Sequence, residues 1–124
     1  MAESHKKWEV FARDYRRYIR LEKHLSENTV DAYMRDLEEF AHYIMRWFDV
    51  PPERVEQPMI ERYMAWLYDE GRSRASQARR LSGIKSFYNF LLLGDRIEQL
   101  PTEYIEAPKA RRALPDVLTL DEID

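Results

Sequence analysis

Cysteine is absent from the 124 residues of this chain, which excludes disulfides and thiolate metal sites. Glycine is scarce, with three residues, and there is no low-complexity tract, so the composition is not that of a disordered chain. No apolar run is long enough to cross a bilayer, and Phe90 to Leu93, for example, has only four residues. The first ten residues lack the apolar segment of a signal peptide. We therefore expect a globular protein without membrane attachment, in a reducing compartment such as the cytoplasm.

Side-chain groups that could support catalysis are also missing. The histidines His5, His24 and His42 lack the i, i+4 pairing of a helical metal site. No Gly-rich phosphate loop and no cysteine nucleophile are present. The adjacent Glu38 and Glu39 lie in a strongly acidic stretch and are interpreted as solvated surface. The sequence predicts no active site, no metal and no cofactor.

Four amphipathic helices account for most of the chain. Apolar spacing predicts the first over about 7–24 and the second from the N-cap Ser26 to about residue 47. The third begins with Pro58 in its first turn and stops at Gly71, and the fourth follows Ser73 and stops at Gly94. The predicted core stripes are Trp8, Phe11, Tyr15, Tyr18 and Ile19; Val30, Met34, Leu37, Ala41, Ile44 and Phe48; Ile60, Met64 and Leu67; and Leu81, Ile84, Tyr88 and Leu91. Short loops between such helices predict an all-α bundle.

The last quarter of the chain has a different character. Pro101, Pro108 and Pro115 exclude one long helix, so we expect a short helical piece followed by an extended linker. Thr119 and Glu122 have the spacing of a capping box, which predicts a further helix beginning where the sequence ends. We predict a domain over residues 1–106 and, over residues 107–124, a linker with the first residues of another domain.

The charges are unevenly distributed, although the net charge is only −3. Residues 6–23 contain seven bases and three acids, residues 27–70 contain eleven acids and four bases, and residues 72–85 contain five bases and no acid. Lys109, Arg111 and Arg112 form a last basic group. Because salt screens each patch beyond about 10 Å, one basic surface can bind phosphate on an acidic protein.

The outward face of the fourth predicted helix is the most informative feature. It combines arginine with small and hydroxylated residues and has no acid, whereas a solvated helix face usually mixes both signs. Small residues allow a helix to approach a groove closely, and Ser and Arg donate to phosphate oxygens or, for Arg, to guanine. This pattern favours DNA binding over an accidental cluster on a solvated face. The face consists of Arg72, Ala75, Ser76, Arg79, Ser82, Gly83 and Ser86.

The start of the second predicted helix adds three candidates. Asn28 and Thr29 lie at a helix N-terminus, which favours an anion, and Arg35 lies two turns on, on the same outer side as Asn28. Phosphate contact and simple helix capping both remain open for these residues.

Three segments resemble one known family. LSENTVDAYMRDLEEF (Leu25 to Phe40) resembles the second-helix signature of tyrosine site-specific recombinases, particularly the Xer type. GRSRASQARRLSGIKSFYNFLL (Gly71 to Leu92) is similar to their fourth-helix signature. PTEYIEAPKARRALPDVLTLDEI (Pro101 to Ile123) resembles their interdomain linker and the entry to the catalytic domain. Each motif is weak alone, but their order and spacing are specific.

The resemblance implies a four-to-five-helix SAM-like core-binding domain of two steeply crossed hairpins, with an extended C-terminal linker. It implies that the second and fourth helices lie at the major groove of double-stranded DNA. The implied contacts are Asn28, Thr29, Arg35, Ser76, Arg79, Ser82 and Lys85, with Arg72, Arg74 and Arg80 as flanking phosphate contacts and Lys109, Arg111 and Arg112 in the linker along the DNA. Lys85 stands where the family often has arginine, so bidentate base contact is not expected there.

The family's catalytic set comprises two arginines, a lysine, one or two histidines and a tyrosine that forms a 3′-phosphotyrosine. These residues belong to the catalytic domain, so none is assigned here and the fragment itself is expected to be non-catalytic. The resemblance implies a full-length enzyme that acts as a tetramer on DNA in the nucleoid, either alone or with a paralogous recombinase. Chromosome dimer resolution is the expected role.

Three other interpretations stay open. An integrase of a phage or conjugative element would share the architecture, although many carry an additional domain before the first helix. A helix-turn-helix regulator would use the third helix, the Gly71 turn and the fourth helix, but its recognition helix is usually shorter than about 20 residues. A helical protein-interaction module would use the acidic second and third helices as its docking surface.

Overall fold

The computed structural model describes residues 2–106, which form four α-helices and no strand. α1 spans Ala2–Leu21, α2 Glu27–Trp47, α3 Gln57–Asp69 and α4 Arg74–Leu93, and a 3-10 helix occupies Pro52–Arg54. The predicted all-α bundle is confirmed. The predicted linker over 107–124 lies outside the described residues. Among residues 2–106, every helix is too short or too polar to span a bilayer.

The helix boundaries follow from local capping. Ser26 precedes α2 and accepts a hydrogen bond from the Thr29 N–H at 3.3 Å, while Ser73 precedes α4 and accepts one from the Ser76 N–H at 3.0 Å. Each bond satisfies an N–H that has no partner within the helix. α3 ends at a left-handed Gly71 with φ of +83°, the conformation that glycine adopts without strain. The predicted caps are thus confirmed.

The two ends of α1 differ from the prediction of 7–24. The helix begins earlier because its first turns pack onto the 3-10 segment, where Lys7 donates to Glu53 at 2.6 Å and Ser4 is buried. It ends earlier because His24 adopts a left-handed conformation, with φ of 56°. Both causes are tertiary or backbone features that apolar spacing does not encode.

The segment after α4 also differs. Gly94 caps α4 as predicted, but its φ is −89°, and the left-handed residue is Asp95, with φ of 59°. Residues 95–106 form turns and irregular structure, so the short helical piece expected there is wrong. Arg96 holds the segment by donating to Asp14 at 2.8 Å and placing its guanidinium 4.8 Å from the Phe11 ring centre.

The core is a continuous aromatic and aliphatic cluster to which all four helices contribute. Phe87 of α4 lies between two side chains of α1, stacked on Trp8 at 6.0 Å and edge-on to Tyr15 at 5.4 Å. Phe40 of α2 meets Tyr63 of α3 edge-on at 5.1 Å. The predicted α4 stripe is fully buried, but apolar spacing did not assign Phe40, Tyr63 and Phe87 to the core. Because α2 contacts α1, α3 and α4, it positions every other helix.

Candidate nucleic-acid interface

The outer side of α4 presents a surface without acidic side chains. Arg74, Ala75, Arg79, Ser82 and Asn89 are exposed along it, and α4 contains no Asp or Glu over its 20 residues. Ser82 and Arg74 make no hydrogen bond or ion pair within residues 2–106, so their donors are available to a ligand. Lys85, on the same side, is half-buried and has no partner in that range either.

Arg79 is bound to α2 and still reaches solvent. Its Nε donates to Asp36 Oδ2 at 3.0 Å and its Nη2 donates to Asp36 Oδ1 at 3.1 Å, which is a two-point contact. The Asp36 side chain is 7% exposed, whereas that of Arg79 is 55% exposed. The carboxylate is therefore internal, and the arginine forms part of the surface.

Glu39, one turn further along α2, binds two more arginines of this region. Arg72 donates through Nη2 to Oε2 at 2.7 Å, and Arg80 donates through Nε to Oε1 at 2.6 Å. Tyr63 donates to Oε1 at 3.1 Å. Burial alone would raise the pKa of Glu39, but hydrogen bonds from Arg72 and Arg80 outweigh it and hold the pKa below its ordinary value. Glu39 is thus a charged internal acceptor.

These contacts change the picture of two predicted groups. The interpretation of Glu39 as solvated surface is wrong, because three side chains donate to it. Arg80, only 14% exposed, also donates to Ser76, so both side chains are engaged within the protein. Arg72 and Arg80 as phosphate contacts stay predictions, and their first role in the structure is to join α4 to α2.

The α2 candidates lie beside this network. Asn28 and Arg35 are exposed and have no hydrogen bond or ion pair within the described range. Arg35 precedes Asp36 on α2 and also lines a groove between α1 and α2. Thr29 is part of the cap, since its Oγ1 accepts from Ser26 at 3.0 Å. Both α2 and α4 therefore present exposed donors that are not engaged elsewhere in the described range.

Several residues of the predicted face take other positions. Ser86 accepts a hydrogen bond from the Tyr15 hydroxyl at 2.9 Å and so connects α4 to α1. Lys109, Arg111 and Arg112 lie outside the described residues, and their contacts stay predictions. We give the name α2/α4 face to the basic and polar side chains that the two helices present to solvent, and it consists of Asn28, Arg35, Arg74, Ala75, Arg79, Ser82, Lys85 and Asn89.

Three side chains of this region were not predicted. Asp36 and Glu39 were not recognised as acceptors for arginines, although Asp36 adjoins the core residues Leu37 and Phe40 on α2. An acid so close to a buried stripe requires a cationic partner, which was a usable signal. Asn89 extends the α2/α4 face beyond Lys85, and its helical register relative to Ser82 was the signal.

The acids, histidines and buried tyrosines of the described residues are dispersed. Across residues 2–106, no three His, Asp or Glu side chains are grouped so as to hold a metal ion. Tyr15 and Tyr88 are buried in the core, and burial raises the pKa of Tyr15 to about 12 and that of Tyr88 above its ordinary value. A groove of about 700 Å³ between α1 and α2 is mostly apolar, and its lining includes Trp8, Met34, His5 and His42.

Comparison with known proteins agrees with this architecture. The family model described as phage integrase, N-terminal SAM-like domain matches residues 12–93. Tyrosine recombinase XerD from Staphylococcus aureus is 35% identical over 115 residues, which cover 93% of this chain and 39% of that protein. Tyrosine recombinase XerD from Staphylococcus haemolyticus is 36% identical over the same shares of both chains. No solved structure matches the chain significantly.

The chain thus spans about two fifths of the length of the curated relatives it matches. The match begins within α1 and ends at the last residue of α4, so it covers the whole α2–α4 unit. The predicted resemblance to tyrosine recombinases is confirmed. This chain belongs to the phage integrase N-terminal SAM-like domain family.

Proposed function

We propose that this chain is the DNA-binding part of a Xer-like tyrosine recombinase, and that it grips one half-site of double-stranded DNA. The observation that carries the proposal is the α2/α4 face, in which Arg35, Arg74 and Arg79 are exposed and to which α4 contributes no acid. The names of the relatives support it, since they are tyrosine recombinases.

In this proposal α4 lies at the major groove, which is about 12 Å wide and accepts a helix. Ala75 and Ser82 allow the helix axis to approach the DNA, because their side chains are short. Arg35 and Arg74 supply cations to the phosphates on either side, and Asn28 adds a neutral donor near the N-terminus of α2. Asp36 and Glu39 do not cancel this surface, since both are bound internally to arginines.

The role of the whole protein follows from the family as a further part of the proposal. The full-length enzyme would break and rejoin DNA strands through a 3′-phosphotyrosine, as a tetramer on DNA in the nucleoid. Chromosome dimer resolution is the proposed use. An integrase of a mobile element would show the same α2/α4 face, and the two are distinguished by the sequence of the bound site.

The test is the salt dependence of DNA binding by the 124-residue chain. Fluorescence anisotropy with a labelled 30-base-pair duplex should give an affinity that falls linearly with salt on logarithmic axes. Arg35→Ala should reduce the slope by about 1, because one phosphate contact is lost. Arg17→Ala is the matched control, since Arg17 is exposed at mid-helix on α1 and also has no partner within residues 2–106.

If Arg35→Ala and Arg17→Ala changed the salt dependence equally, an arginine would contribute to binding wherever it lies on the surface. The α2/α4 face would then not be the binding site. A complete lack of salt-dependent affinity would overturn the proposal and favour a protein-interaction module. A palindromic footprint at saturating protein would favour a helix-turn-helix regulator, although α4 extends over 20 residues.

A further inference from the structure

The contact between Arg79 and Asp36 uses a particular edge of the guanidinium. The donors to the carboxylate are Nε and Nη2, which form one side of the planar group. A guanidinium has five N–H donors, so both of those on Nη1 and one on Nη2 remain. Of these three, one N–H on Nη1 and the one on Nη2 lie side by side at the end of the guanidinium. The side chain is 55% exposed. Arg79 therefore keeps a complete two-point donor edge for a ligand.

The carboxylate that holds Arg79 is itself fixed. Asp36 is buried on α2, and its Oδ1 lies 3.9 Å from Nη2 of Arg80. Arg80 is fixed in turn by its bond to Glu39 at 2.6 Å. An exposed arginine normally loses rotamer freedom when it binds a ligand, whereas one held by a fixed partner has already lost it.

We infer that Asp36 is a positioning residue that makes Arg79 a bidentate reader of guanine in the major groove. The inference rests on the proposed DNA binding and assigns a specificity role within it. Guanine presents O6 and N7 as two adjacent acceptors on its major-groove edge, and a forked donor of fixed orientation matches this pair. A phosphate would be contacted equally well by an arginine without an internal partner.

Arg35 provides the contrast on the same face. It is exposed and has no partner within residues 2–106, so its side chain can follow a phosphate in any sequence. The two arginines should therefore have separable effects: substitution of Arg35 changes affinity for all duplexes alike, and loss of the Arg79–Asp36 contact changes discrimination between duplexes.

The experiment uses the 124-residue chain and a pool of randomised 20-base-pair duplexes. Selection yields a preferred duplex, and each of its guanines is then replaced in turn by 7-deazaguanine, which lacks the N7 acceptor. For the unsubstituted protein, replacement at one position should weaken binding about tenfold. For Arg79→Lys and Asp36→Asn, replacement at that position should have little effect. Asp36→Asn should still bind unselected duplexes, at least as tightly as before, because a carboxylate has been removed.

Glu38→Gln is the matched control for Asp36→Asn. Glu38 is exposed on the same helix, has no arginine partner within residues 2–106, and its substitution changes the net charge equally. The Glu38→Gln variant should still lose about tenfold in affinity when 7-deazaguanine replaces that guanine. Thermal unfolding verifies that each variant is folded at the assay temperature, and Asp36→Glu, which shifts the carboxylate by one methylene, replaces Asp36→Asn if the latter does not fold.

The outcomes separate the two proposals. If Asp36→Asn, or Asp36→Glu in its place, keeps the full 7-deazaguanine penalty, Asp36 does not position Arg79, and DNA binding still stands. Salt-dependent binding without any sequence preference from the selection also overturns the inference alone. If the chain binds no duplex, the proposed function fails and the inference fails with it.

Discussion

Arg80 of α4 and Tyr63 of α3 donate to the same oxygen of Glu39, at 2.6 and 3.1 Å. One carboxylate on α2 thereby joins three helices, and Arg72 occupies its second oxygen. The arrangement explains how a helix with no acid of its own accommodates several arginines: two carboxylates, Glu39 and Asp36, come from the neighbouring helix. Stability and the proposed DNA binding involve the same arginine-rich segment, and substitutions can separate them.

Replacement of Glu39 by Gln should destabilise the fold at neutral pH and have less effect in acid. The pKa of Glu39 lies below its ordinary value of 4.5 because Arg72 and Arg80 outweigh its burial. Its contribution to stability is therefore present above about pH 4.5 and is lost as the pH falls through the lower folded-state pKa. We expect a loss of about 1–3 kcal/mol at pH 7, as for hydrogen bonds to charged groups. Urea unfolding between pH 7 and 3 measures it.

Glu38→Gln is the control for this pH dependence, because Glu38 is exposed on the same helix. The Glu38→Gln substitution should leave the urea midpoint of unfolding nearly unchanged at every pH. An equal loss of stability in the Glu39→Gln and Glu38→Gln variants would contradict this prediction. It would mean that the net charge of the helix, rather than the hydrogen bonds to Glu39, determines how stability falls at low pH.

Ala75→Glu should weaken DNA binding without lowering the stability of the fold. Ala75 is exposed in the first turn of α4, where an acid interacts favourably with the helix dipole. The same acid would stand against phosphates on the α2/α4 face, so affinity should fall about tenfold or more. Ala65→Glu, on the exposed side of α3, supplies the same charge change away from that face and should bind like the parent. Anisotropy titrations and thermal melts compare the two variants.

Gly71 and Gly94 both follow a helix, but they should respond differently to alanine. Gly71 has φ of +83°, so Gly71→Ala introduces strain and should cost about 1 kcal/mol even though no atom lies near the new methyl group. Gly94 has φ of −89°, and a methyl group there would lie 3.7 Å from the Phe90 carbonyl oxygen, an ordinary contact. Gly94→Ala should be neutral or mildly stabilising. Urea midpoints that shift equally would contradict the left-handed assignment of Gly71.

Tyr15→Phe tests the contact between α1 and α4 at high pH. Burial raises the pKa of Tyr15 to about 12, although the hydrogen bond to Ser86 opposes the shift. The neutral hydroxyl therefore contributes stability that is full below about pH 10 and is lost as the pH rises through about 12. Tyr15→Phe should cost about 1 kcal/mol at pH 7 and should show a smaller further loss between pH 10 and 12. Tyr68→Phe, at a 72% exposed position, is the control and should follow the parent curve.

Most of the fold could be predicted from local patterns. Ser26, Ser73 and Gly71 mark helix ends through their own backbone and side-chain chemistry, and the α4 stripe has the correct spacing. The beginning of α1 could not be predicted, because it depends on Lys7 reaching Glu53, 46 residues away. The path after α4 is set by Arg96, which contacts residues of α1 that are distant in the sequence.

The residues of the candidate site could be predicted from the sequence, but the hydrogen bonds and ion pairs between them could not. A helical wheel identifies Arg79 and Ser82 as outward, and both are exposed. It does not show that Arg72 and Arg80 turn towards Glu39, because that depends on where α2 lies against α4. Ser86 illustrates the same limit, since it lies at the edge of the outer face and is reached by Tyr15 from another helix.

The Arg96 contact has a consequence for how a neighbouring domain could be oriented. Its bond to Asp14 and its position over Phe11 tie the segment after α4 to α1, and Thr102 and Ile105 are buried further along. These contacts fix the position and direction of the backbone at residue 106 relative to the four helices. If Arg96 were substituted, any attached domain would be oriented differently, although every side chain of the α2/α4 face would remain.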